Sequence, residues 1–148
     1  MRDELRSFLD SPRELREEIR RLRLQKRDDW ELATAITPHY SGMPGGGGYQ
    51  EGPKSSWTRL AEYDGELDEM IRRRIESIRA VEQFIDRVQE PTYRVILRYR
   101  YLNCLSWSEI EAAMSGGEYA FGLRHITRLH GKALQAARKL WESDKHDT

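Results

Sequence analysis

Between Leu60 and Val88 an apolar residue returns every three or four positions for more than four heptads: Leu60, Tyr63, Leu67, Met70/Ile71, Ile75/Ile78, Val81, Phe84/Ile85 and Val88. Such a stripe fits a long helix with a narrow seam better than the face of a small globule. It predicts a helix over about 57–89, capped by Ser55 or Ser56, with Gly65 as an interior weak point. A second stripe precedes it. Leu15, Ile19, Leu22, Trp30 and Ala33 lie thinly among charges and stop before Thr37-Pro38. Ser11-Pro12-Arg13-Glu14 has the form of a helix start, with Ser11 as cap, Pro12 in the first turn and Glu14 completing a capping box.

Residues 38–56 separate the two stripes and contain four consecutive glycines, Gly45 to Gly48. Glycine loses more backbone entropy on ordering than any other residue, so a flexible loop is expected there. Neither long helix can bury its stripe alone. An antiparallel, coiled-coil-like helical hairpin over residues 1–90 is the economical solution, and a second chain could double it into a homodimer.

Pro91 resets the pattern. Three shorter helical segments are expected at about 91–102, 107–114 and 122–142, with a disordered tail over 143–148. Ser106-Trp107-Ser108-Glu109 is another capping box, and Ser115-Gly116-Gly117 stops the middle segment. No run alternates with period two, so the expected fold class is all-α.

Composition bounds the function. Hydrophobic residues are 38% and charged residues 34%, too polar for a simple compact globule and in keeping with long helices. No window approaches a membrane span. The first ten residues lack the apolar core of a secretion signal, and Cys104 is the single cysteine, so a cytoplasmic protein without an internal disulfide is expected. A net charge of zero hides an asymmetry. Residues 1–91 carry 16 basic against 19 acidic side chains, whereas 92–141 carry 8 against 3. The basic eight are Arg94, Arg98, Arg100, Arg124, Arg128, Lys132, Arg138 and Lys139. A basic C-terminal third points to a polyanionic partner.

The segments after Pro91 supply a plan for that partner. A capped helix presents Ile110, Ala113 and Met114 inward. After a turn, a further helix carries Ile126, Leu129, Ala133, Ala137 and Leu140 on one face and Arg124, His125, Thr127, Arg128, Gly131 and Lys132 on the opposite flank. One helix lying across a DNA backbone while the next offers polar side chains to the major groove is the helix-turn-helix arrangement. Arg124 and Arg128 can each present a fork to guanine or phosphate oxygens. His125 and Thr127 can hydrogen-bond bases or phosphates. Lys132 suits the backbone, and Ser106 and Ser108 at a helix start suit a phosphate. Trp107 is expected as a core anchor, and His130 beside Leu134 or a phosphate.

The stretch VILRYRYLNCLSWSEIEAAM with HITRLHGKAL resembles the helix-turn-helix of the fourth conserved region of bacterial sigma factors. It is most similar to the sigma-like late-transcription activators of phages and mobile elements, the RinA and ArpU type. The matching residues are Arg100-Tyr101, Leu105-Ser106-Trp107, Glu109-Ile110, Ala113 and Thr127 through Leu134, about 50 residues in all. Cys104 departs from the pattern's usual glycine, and the turn between Met114 and His125 is longer than the pattern's. The resemblance implies a transcription regulator that binds double-stranded DNA at promoters, with RNA polymerase as a second partner.

Competing readings are an assembly or packaging protein of the small-terminase kind, and a polymerase-docking module without DNA affinity of its own. An enzyme is not expected, since no nucleophile–base pair is evident. His125, His130 and Cys104 lack metal-ligand spacing, and no cofactor motif stands out. Gly47 to Ser55 has a phosphate-loop outline, but Pro53 removes an amide such a cradle would use and no strand precedes it. The acidic clusters Asp28-Asp29 and Glu66/Asp68/Glu69, and the run Arg72-Arg73-Arg74, read as solvated helix flanks.

Overall fold

The computed structural model describes residues 3–36, 56–116 and 122–147. These are all-helical, and no strand occurs among them. In chain order the helices are α1 (Glu4–Ile36), α2 (Ser56–Asp86), α3 (Pro91–Leu97) running into a π-helical turn (Arg98–Leu102), α4 (Trp107–Met114) and α5 (Leu123–His146). The glycine-rich loop expected over 38–56, the phosphate-loop outline within it and a cap at Ser55 lie outside the described residues, as does most of the turn before α5.

The start of α1 corrects one expectation. Ser11 and Pro12 do not open the helix. It begins at Glu4, where the Asp3 carboxylate accepts the Leu5 amide at 3.1 Å and caps the first turn. Pro12 lies inside, fully buried. A proline there leaves the carbonyl four residues earlier without its donor. Ser11 repairs the gap by donating its hydroxyl to the Phe8 carbonyl at 2.7 Å. Leu5, Leu9 and Pro12 extend the buried stripe of α1 upstream, and their burial outweighs the helix-stopping tendency of proline.

The chain forms two compact units, Met1–Leu15 with Ile75–Thr148, and Arg16–Arg74. The boundary expected near residue 90 falls inside the first. That unit holds a continuous apolar core: Leu5 and Leu9 of α1, Val81, Phe84, Ile85 and Val88 at and beyond the end of α2, Leu97, Tyr101 and Leu102 around the π turn, and Ala133 and Ala137 of α5. Phe8, Phe84 and Trp141 meet ring to ring at its edge, with centroids 5.0–5.7 Å apart. Arg94 donates to the Val88 and Gln89 carbonyls at 2.7 and 3.1 Å, satisfying backbone groups exposed where the chain turns from α2 into α3. Two expectations shift here. α5 continues through Ser143–His146, part of the presumed disordered tail, where Arg87 makes a two-pronged bond to Asp144 at 2.8 Å and Lys145 pairs with Glu4. Ala113, expected inward, is exposed, and Ile110 alone on α4 is fully buried.

Among the described residues of the second unit, Ile19, Leu67 and Ile71 are the buried apolar ones. Polar links join α1 to α2 around them. Arg74 donates to Glu18, Gln25 to the Tyr63 hydroxyl, Lys26 to Asp68, and the Trp30 indole to Asp64 at 3.1 Å. Trp30 and Trp57 meet with ring centroids 5.8 Å apart. The earliest of these α1 residues meets the latest α2 residue and the reverse, so the two segments run in opposite directions. Asp68 and Glu69, expected as solvated acids, are in ion pairs, the latter with Arg72 and Arg73.

Candidate nucleic-acid interface

The residues nominated by the sequence lie on the C-terminal helices of the first unit. α4 starts where the sequence places it. Ser106 Oγ accepts the Glu109 amide at 3.2 Å, and the Glu109 carboxylate accepts the Ser106 amide at 3.3 Å, closing the capping box. Before it, the π turn brings two side chains, Arg100 and Tyr101, to bear on α4 and α5. Arg100 donates to the Leu105 carbonyl at 3.0 Å and lies 4.4 Å from the Trp107 ring centroid. Cys104 takes a left-handed backbone with φ of 57°, a conformation glycine adopts without the Cβ penalty of about 1–2 kcal/mol. The Tyr101 hydroxyl lies 2.8 Å from His130 Nε2.

His130 is the one buried polar residue recorded among the described residues, at 8% exposure. Trp107 meets its ring edge-on at 4.7 Å, so Trp107 is half-buried and anchors α4 to α5. Burial pushes His130 down to about 4, with Arg6 and Arg100 nearby acting the same way, and burial raises the Tyr101 phenol. At neutral pH the pair is therefore uncharged. It fixes the rotational phase of α5 together with Ile126, Ala133 and Ala137, all at 0% exposure.

That phase decides what faces outward. Arg124, His125, Thr127, Arg128 and Lys132 are all exposed. Arg124, Arg128 and Lys132, four residues apart, form one row along the helix away from the buried face. The Thr127 hydroxyl donates back to the Leu123 and Arg124 carbonyls at 3.2 and 2.9 Å, so it can meet a ligand only as an acceptor. Ser106 and Ser108 lie on α4. The Ser106 oxygen already accepts its capping bond, Ser108 is exposed, and among the described residues no hydrogen bond ties either to the α5 row.

Pairing separates the basic residues into two kinds. Arg94 holds carbonyls, Arg98 holds Glu82 and Asp86 at 2.9 and 2.7 Å, Arg100 holds Leu105 and Trp107, and Arg138 holds Asp3. Arg124, Arg128 and Lys132 make no ion pair among the described residues, and α5 carries no carboxylate before Glu142. Lys139 shares this condition. It lies seven residues beyond Lys132, exposed and on the same side, and extends the row by two turns. Its heptad spacing from Lys132 was the signal that could have added it to the predicted site. The Tyr101–His130 lock had no comparable signal, because it joins residues 29 apart whose spacing is unremarkable.

Among the described residues no group of three His, Cys, Asp or Glu side chains could hold a metal ion, and no helix is long and apolar enough to cross a membrane. No protein-family model, curated protein or solved structure matches the chain.

Proposed function

We propose that the protein is a DNA-binding transcription regulator of phage or mobile-element type, in which α4 and α5 act as a sigma-like helix-turn-helix and α5 enters the major groove. One observation carries this reading: Arg124, Arg128 and Lys132 stand exposed, in one row and without acid partners among the described residues, while Arg94, Arg98, Arg100 and Arg138 are consumed by the fold. A row of cations unpaired among the described residues, on a helix whose opposite face packs through Ile126, His130, Ala133 and Ala137, suits a rigid polyanion. Arg124 and Arg128 present guanidinium forks to guanine edges or phosphates, His125 and Thr127 flank them, and Lys132 with Lys139 follows the backbone. The capped start of α4, with Ser108 exposed beside Ser106, faces a phosphate.

The opposed segments of α1 and α2 are read as a helical hairpin that supplies a homodimer contact or a surface for RNA polymerase. Exposed Trp30, Trp57, Tyr63 and Met70 give that part of the chain the aromatic character of an association surface.

Duplex binding measured across a salt series tests the proposal. Arg124→Glu combined with Arg128→Glu should lower affinity by roughly two to four orders of magnitude, since each forked contact is worth about 1–3 kcal/mol, and should leave the helical circular dichroism intact. Wild-type affinity in the double variant would remove α5 as the recognition element.

A further inference from the structure

The second unit carries another row of cations that its fold leaves over. Arg16, Arg20, Arg23 and Arg27 recur on α1 at steps of four, three and four, which places them on one face. With Ile19 and Leu24 they line an open groove of about 530 Å³. The cross-helix ion pairs of this unit are made by other residues, Lys26 to Asp64 and Asp68, and Arg74 to Glu18. Arg16 and Arg23 have no ion pair among the described residues. Among the described residues Arg20 meets only Glu17 at 3.8 Å, and Arg27 meets Asp28 at 3.9 Å and Glu31 at 3.8 Å, all on their own helix with side chains more than half exposed. Such pairs contribute little and yield readily to a stronger anion.

We infer that this arginine face is a second polyanion-binding surface, which takes the sugar-phosphate backbone of duplex DNA. Three features select that occupant. A second copy of the chain is disfavoured, because a two-fold contact centred on the row would set Arg16 and Arg20 against Arg27 and Arg23 of the other copy, cation on cation. An apolar helix seam is disfavoured, because Ile19 is already 6% exposed and Leu24 alone in the groove offers free apolar surface. A phosphate backbone needs charge and forked donors, and the face supplies both. From Arg16 to Arg27 the row spans about 16 Å at 1.5 Å per residue, a length over which a duplex displays about ten phosphates.

The proposal deepens the DNA-binding reading and rests on it for the choice of polyanion. A factorial binding experiment keeps the two apart. The full chain is compared with Arg16→Gln plus Arg23→Gln, with the Arg124→Glu plus Arg128→Glu variant and with all four substitutions, each titrated with duplex DNA from low to moderate salt. Loss of two phosphate contacts on α1 should reduce the slope of log affinity against log salt by about 1.8 in either background. Arg16→Lys plus Arg23→Lys should retain the slope. An unchanged slope in both backgrounds overturns the α1 surface whatever α5 does. A changed slope with an unaffected α5 variant keeps the α1 surface and removes α5 instead. Wild-type protein that binds poly-glutamate but not duplex DNA overturns the α1 surface in favour of an acidic protein partner.

Discussion

The two compact units draw on the same long helices, α1 and α2, and hold together by different means. In the first, Leu9, Val81, Ile85 and Leu97 reach 0% exposure and sit in one apolar cluster closed by Phe8, Phe84 and Trp141. In the second, the three buried apolar residues among the described ones are framed by Lys26, Asp64, Asp68, Gln25 and Tyr63, and Trp30 and Trp57 remain about two-fifths exposed. Apolar burial adds roughly in proportion to area, whereas half-exposed ion pairs contribute at most about 1 kcal/mol each. One unit is therefore a scaffold that sets the phase of α5. The other is a weaker pairing expected to open at lower free energy.

The contrast can be broken at its strongest point first. Ile85→Ala in the scaffold should cost about 3–5 kcal/mol in urea unfolding, and a cost under 1 kcal/mol would deny that this cluster is the main core. His130 gives the next effect. Its folded value is depressed to about 4 from an ordinary 6.5, so the unfolded chain binds the extra proton first as pH falls. The stability is present above about 6.5 and drains away as pH drops toward 4. Between pH 7 and 5 the wild type should lose about 2 kcal/mol from this source, and His130→Gln should flatten that part of the profile. An equal pH dependence in the variant would place the acid sensitivity elsewhere. Smallest is Lys26→Ala in the second unit, expected to cost no more than about 1 kcal/mol by the same measurement. A larger cost would make the polar links a true core.

Much of the fold was legible because helix signals are local. The stripe from Leu60 to Val88, the reset at Pro91 and the capping box at Ser106 each fix an element from neighbours within a few residues. The buried face of α5 followed from spacing too, with Ile126, Ala133 and Ala137 fully packed and Leu129 and Leu140 partly so. What escaped depended on distant partners. The early start of α1 rests on Leu5 and Leu9 finding a core made by α2 and α5. The tail stays helical through Arg87 and Glu4, far off in sequence. The π turn is set by bonds such as the Asn103 amide to the Arg98 carbonyl at 2.9 Å, for which the sequence carries no short-range mark. For the candidate site, residue type nominated the α5 row, but only pairing could tell Arg124 and Arg128 from Arg98 and Arg138.

Ser11 and Pro12 form a dependency with a direction in it. While the ring stands at position 12, the hydroxyl at position 11 is the donor that serves the Phe8 carbonyl. An alanine at 12 would restore the missing amide and free the serine to vary; an alanine at 11 with the ring in place would strand an acceptor. Descendants of this sequence can thus shed the pair by one mutational route more easily than the other, so lineages keeping the proline should keep a hydroxyl-bearing neighbour in front of it.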